Sequence, residues 1–201
     1  MLQILVVCTG NICRSPLAEA FLADRAGRLL DTEVRVRSAG TWGREGNRAT
    51  AETVVAGRER GMDVEAHRAR PLSADLIDRA DLILGLTTEH RDEVVRIAPE
   101  ASSRTFTLKE LATLLPAVET RAADAEATVR ARIAEADRVR RETREAIAGD
   151  LDVQDPLGLG QDVYRAIAWE IEEAVDRLVR GLFGVTVGPA GRLTGADRDR
   201  E

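Results

Sequence analysis

The sequence predicts an α/β fold: a single-domain three-layer sandwich in which a four-stranded, mostly parallel sheet is flanked by helices. Two observations predict it. Short apolar runs rich in β-branched residues alternate with stretches of helical length and spacing. A chain of 201 residues with 44% hydrophobic content can also bury one sizeable core.

The elements follow in order. "QILVV" (3–7) is a continuous apolar run that suits a strand buried on both faces. Pro16 then opens "LAEAFLADRAGRLL" (17–30), a helix with Leu17, Ala20, Phe21 and Ala26 in step. "EVRVRSAGT" alternates and breaks at Gly40, as a strand with a loop at its end does. Helices are expected over 49–61, closed by Gly61, and over 73–80, opened by Ser73 as N-cap. "DLILGL" (81–86) is a buried strand, 87–99 a helix ended by Pro99, and "RTFTL" (104–108) a fourth strand. The last helix, 161–183, carries Val163, Ile167, Ile171, Val175 and Leu178 on one stripe, and Tyr164 at core spacing. Residues 117–148 are rich in Ala, Arg and Glu with weak apolar spacing, and read as a largely exposed helical insertion. The domain spans 1–183, and 184–201 reads as a flexible tail.

Composition excludes several classes. A net charge of -6, with no arginine stripe interleaved with aromatics, argues against nucleic acid. No apolar segment approaches a membrane span, and the N-terminus lacks a signal-peptide pattern. Two cysteines give no disulfide framework, and their spacing with the two histidines gives no zinc site. A cytoplasmic protein with no metal or cofactor is expected. Lys109 is the only lysine.

Both cysteines lie in "VVCTGNICRSP" (6–16), at the carboxyl end of the first strand. Sheets of this class bind ligands at that end. A strand that turns into a helix aims several backbone N–H groups at one point, and the helix terminus adds positive charge. Arg14 supplies a planar fork for two phosphate oxygens, where a Walker loop would need Gly-Lys-Ser/Thr. Cys8 would lie beneath the phosphorus as nucleophile, with Ser15 as a hydroxyl donor to its sulfur. Asn11 tolerates the left-handed conformation and braces the loop. Taken alone, Cys8 reads as a small apolar residue finishing a strand.

"VCTGNICRSPLAEA" resembles the signature Cys-x5-Arg-Ser-Pro of the low-molecular-weight protein tyrosine phosphatases. "SAGT" (38–41), "HRAR" (67–70), "ADLILGLT" (80–87) and "DP" (155–156) agree in order, so the resemblance covers most of 1–183. It implies a phosphocysteine on Cys8 and a phosphorylated protein as partner. Thr9, Gly10, Asn11, Ile12, Cys13 and Arg14 would then bind substrate, with Trp42 in the flanking loop. A general acid is needed for the leaving oxygen. Among Asp150, Asp152 and Asp155, only Asp155 precedes a proline, and the family places its acid at this Asp-Pro. By the same resemblance His67 would support the loop and Ser38 would hydrogen-bond Asn11, and Cys8 and Cys13 would form a reversible protective disulfide.

Two departures bear on the substrate. Relatives usually carry an aromatic residue after Asp-Pro, where this chain has Leu157. "FTLKEL" is similar to protein arginine phosphatases of the family, but those carry a small threonine at the position of Ile12, which suits an aryl group. Arsenate reductases share the loop and need relay cysteines; none follows Cys13. A non-catalytic oxyanion-binding module is the remaining alternative.

Overall fold

The structure, a computed structural model, describes residues 1–28, 33–117, 125–143, 149–187 and 193–195. The run Leu2–Cys8 forms strand β1, buried along its length except at Gln3. It pairs in parallel with β2 (Val34–Gly40) on one side and β3 (Leu82–Gly85) on the other. The strand β4 (Thr105–Thr107) completes the order β2-β1-β3-β4, also in parallel. The chain therefore leaves β1 toward one edge and later returns on its other side. That reversal opens a crevice at the carboxyl end of β1, where Cys8 ends the strand.

Alternation along β1 divides the core. Leu2, Ile4, Val6 and Cys8 join Leu82, Leu84 and Phe106 on one face of the sheet. The helices α1 (Arg14–Gly27), α5 (Leu108–Leu114) and α7 (Gln161–Phe183) cover that face. Leu5, Val7, Ala39 and Ile83 face the other way, onto α3 (Ala74–Asp78), α4 (Thr88–Ile97) and the 3-10 turn Pro99–Arg104. The helix α2 (Ala51–Glu59) packs beside α1 and α7. In α7, Ile167, Ile171, Val175 and Leu178 are buried and Val163 is half-buried, with Gly184 ending the helix at φ 66.

The structure departs from the sequence reading at three helices. The helix after β1 begins at Arg14 and ends at Gly27, short of residue 30; residues 29–32 lie outside the described residues. The segment after β4 is the helix α5, started by a capping box in which Thr107 and Glu110 exchange side-chain and backbone hydrogen bonds. That signal is written in "TLKE" (107–110), where apolar spacing alone gives no helix.

The third correction concerns the insertion. Its described helix, α6 (Ala125–Glu142), buries Val129, Ile133 and Ala136, spaced four and three apart, against the α5–α7 face. Arg132 donates to the last carbonyls of α7, Gly181 and Leu182, at 3.0 and 3.1 Å. Arg140 stacks on Phe106, 4.3 Å from the ring centre, and donates to Thr105 O. The helix is thus a structural part of the core rather than a solvated appendage. Residues 118–124 and 144–148 of the expected insertion lie outside the described residues. In the expected tail, Val185–Val187 and Leu193–Gly195 pair as the antiparallel strands β5 and β6; 188–192 and 196–201 lie outside the described residues.

Burial of Ile133 makes the role of α6 measurable. Ile133→Ala lowers the unfolding free energy in urea by about 2–4 kcal/mol, whereas a solvated position would change it by under about 0.5 kcal/mol.

Candidate active site

Between Cys8 and Arg14 the chain makes one tight loop whose conformation rests on Asn11. Its φ of 55 makes it the one non-glycine residue in the left-handed region among the described residues. Asn tolerates that geometry because its short amide bonds locally. Here the amide is buried, and Nδ2 donates to Ser15 Oγ at 2.9 Å and Ser38 Oγ at 2.8 Å. Oδ1 accepts from Arg70 N at 2.9 Å, and the main-chain oxygen accepts from His67 Nε2 at 2.7 Å. Ser38 and Arg70 flank the loop from β2 and from the segment before α3. Burial holds the His67 imidazole below its usual range, so it remains a neutral donor.

Cys8 is buried at the bottom of this loop. Its sulfur lies 2.9 Å from Ser15 Oγ and accepts from Asn11 N at 3.3 Å. Cys13 is also free, and faces Tyr164 Oη at 3.8 Å and Thr50 Oγ1 at 3.9 Å. Burial pushes the Cys13 thiol up, with the hydrogen bonds from Tyr164, Thr53 and Thr50 only partly offsetting it. The Cys8 sulfur thus meets a loop backbone N–H, whereas the Cys13 thiol faces hydroxyl groups.

Arg14 opens α1 with 3% of its surface exposed. Nη1 donates to Val153 O at 3.0 Å, and Nη2 to Thr9 Oγ1 at 3.2 Å and to Asp155 Oδ2 at 2.6 Å. Its Nε is the one buried side-chain nitrogen or oxygen without a partner among the described residues. A buried N–H of this kind costs about 1–3 kcal/mol unless an acceptor arrives, and a phosphate oxygen is such an acceptor. Asp155, whose side chain is 43% exposed, sits at the mouth beside Arg14. Asp150 and Asp152 are engaged elsewhere: Asp152 caps α4 by accepting from Thr88 N at 2.7 Å, and Asp150 points to solvent near Lys109.

The rim is apolar. Trp42 donates its backbone N–H to Thr9 O at 2.9 Å while the indole is 82% exposed. Gly40 permits this approach, since a Cβ there would lie 2.5 Å from Thr9 O. Leu157 is 57% exposed on the opposite side of the chain order, next to Asp155 and Pro156. Ile12 is half-buried over Gly10, and Tyr164 is core.

One member of the site escaped the sequence reading. His90, 4% exposed, places Nε2 2.9 Å from Thr9 Oγ1 and Nδ1 2.8 Å from Thr87 Oγ1. Thr9 accepts from Arg14, so its own hydroxyl proton is available to His90 Nε2, which leaves Nδ1 as the donor to Thr87. Burial and the neighbouring Arg14 charge push the His90 imidazole down to about 4. The available clue was its place three residues after Thr87, the N-cap of α4, just beyond β3.

Two outcomes follow from these contacts. Asn11→Ala strands the partners of the amide and weakens inorganic phosphate binding at least about tenfold, read by calorimetry, with stability falling by about 2–4 kcal/mol. His90 gives a pH slope. Between the free imidazole value of 6.5 and about 4 the unfolded chain takes up a proton that the folded chain does not. Acid therefore removes on the order of 3 kcal/mol across that window in the wild type, and this part of the slope is absent in His90→Gln when unfolding is followed from neutral to acid pH.

Comparison with known proteins agrees with this geometry. The family model described as low molecular weight phosphotyrosine protein phosphatase matches residues 3–126. The chain is 34% identical to a protein-arginine-phosphatase of Geobacillus stearothermophilus over 181 residues, 90% of this chain and 95% of that protein. It is 41% identical to the low molecular weight protein-tyrosine-phosphatase Etp of Escherichia coli (strain K12) over 104 residues, 52% of this chain and 67% of that protein. Among solved structures, the low molecular weight protein tyrosine phosphatase from T. tengcongensis has a TM-score of 0.68 at 29% identity, covering 90% of this chain and all (100%) of that one. The YwlE arginine phosphatase from Geobacillus stearothermophilus gives 0.67 at 32% identity, covering 90% and 93%. The chain belongs to the low molecular weight phosphotyrosine protein phosphatase family.

Proposed function

We propose that this chain is a cysteine-dependent phosphomonoesterase that hydrolyses phosphotyrosine in proteins, with Cys8, Arg14 and Asp155 as its catalytic residues. The observation that carries this is the unpartnered Nε of Arg14, buried in the same loop that cups the Cys8 sulfur. Phosphate binds to the loop N–H groups of Thr9 to Arg14 and to the arginine, taking the place of Asp155 on Nη2. The Cys8 thiolate attacks phosphorus, and the S–P bond forms as the P–O bond to the aryl group breaks. Asp155 delivers its proton to the leaving oxygen. It then takes a proton from water, whose oxygen attacks the phosphocysteine and releases inorganic phosphate with the thiolate. Ser15 donates to the sulfur in both steps, and Asn11, Ser38 and His67 hold the loop that stabilises the equatorial oxygens.

For the substrate, Ile12, Trp42 and Leu157 offer apolar surface to an aromatic ring. Two free thiols five residues apart suit a reducing cytoplasm, and the net charge of -6 suits a protein rather than a nucleic-acid partner. Phosphoarginine is the second reading. It is favoured by one observation: the protein-arginine-phosphatase relatives align with 90% of this chain, whereas the Etp alignment covers 52%.

Reduced, metal-free enzyme is assayed on an aryl phosphate and on matched phosphotyrosine and phosphoarginine peptides. Cys8→Ser abolishes turnover, and Asp155→Asn lowers kcat by about 10²–10³. A wild type that binds phosphate without turnover overturns the enzyme reading. A higher kcat/KM on the phosphoarginine peptide selects the second substrate.

A further inference from the structure

The only lysine of the chain is spent on the loop that carries Asp155. Lys109, at the start of α5, keeps 17% of its side chain exposed and directs its ammonium at three acceptors. Nζ donates to Glu170 Oε1 on α7 at 2.7 Å, to the main-chain oxygen of Asp152 at 2.8 Å, and to Asp150 Oδ2 at 3.4 Å. Three acceptors thus match the three N–H donors of the ammonium.

The Asp152 oxygen belongs to the peptide unit that links Asp152 to Val153. The N–H of that same unit donates to Leu86 O, just past β3, at 2.8 Å. The plane is therefore gripped at both ends, by Lys109 on one side and by the sheet on the other. The next carbonyl along, Val153 O, is the acceptor of Arg14 Nη1 at 3.0 Å. Asp155 follows two residues later. The clamped peptide thus sets the start of the turn that presents the Asp155 carboxyl, while Arg14 keeps a second neutral partner in Thr9.

We propose that Lys109 is a positioning residue for proton transfer: by clamping the Asp152–Val153 peptide against α7 it fixes where Asp155 stands relative to the leaving oxygen. This rests on Asp155 being the general acid. A missing or misplaced acid leaves the departing oxygen to carry its own charge. The rate then depends more steeply on the pKa of the leaving group, while binding of phosphate to the loop is untouched.

The test is a series of aryl phosphates of rising leaving-group pKa, with kcat/KM measured for wild type, Lys109→Met, Lys109→Arg, Glu170→Gln and Asp155→Asn. Lys109→Met is expected to lose about tenfold on the poorest leaving group and under about twofold on the best, with the inhibition constant for inorganic phosphate unchanged. Lys109→Arg, which keeps charge and reach, falls between wild type and Lys109→Met. Glu170→Gln removes one anchor with little disturbance and shows the same trend more weakly, which serves if Lys109→Met does not fold. Adding Lys109→Met to Asp155→Asn costs nothing further, because both act on one step. A uniform loss across the series, or none, in Lys109→Met and Glu170→Gln overturns the proposal while a steep Asp155→Asn series leaves the acid assignment standing. A flat Asp155→Asn series overturns the acid assignment and this proposal with it.

Discussion

The left-handed backbone at Asn11 is the constraint on which the site depends. A chain leaving the end of β1 must reverse within a few residues to start α1, and one residue has to adopt a φ that side chains resist. The cost is offset only because the buried amide finds acceptors in Ser15 and Ser38 and a donor in Arg70 N, while His67 holds the carbonyl. Those four partners come from α1, β2 and the segment preceding α3. The loop is therefore shaped by the sheet and its flanking connections together, not by its own sequence alone.

A second constraint is the buried charge of Arg14. Isolating a guanidinium from water is costly, so its N–H groups must be matched. Two of its nitrogens are matched by Thr9, Val153 and Asp155, and the third waits. The Arg14 charge is thus balanced by the carboxylate of Asp155, the group proposed to act on the leaving oxygen. His90 is kept neutral in the same field, so that Arg14 carries the one positive charge among Thr9, Arg14 and His90.

What could be read from the sequence divides along this line. The sheet was legible because continuous β-branched runs such as "QILVV" have few other uses, and the loop because Cys8, Asn11, Arg14 and Ser15 lie within one short stretch. The inward face of α6 was not. Val129, Ile133 and Ala136 are diluted by Arg and Glu, and alanine is as common on a surface as in a core. His90 and Lys109 were also out of reach. The bonds from His90 to Thr9 and from Lys109 to Glu170 join positions 81 and 61 apart, and no local pattern encodes a partner that distant. Glu110 shows the opposite case, since its capping box is written in four consecutive residues, Thr107 to Glu110.

The separation of Arg14 from Asp155, 141 positions along the chain, has a consequence for how the molecule comes into being. During synthesis Cys8 emerges almost first, and the carbonyl of Val153 and carboxyl of Asp155 that complete its surroundings emerge only when most of the chain has left the ribosome. A truncated product keeps the Cys-x5-Arg signature and its thiol but has neither Val153 nor Asp155, nor the last helix against which Cys13 packs through Tyr164. Under the proposed mechanism, a fragment that ends before Asp155 carries the signature without hydrolytic competence.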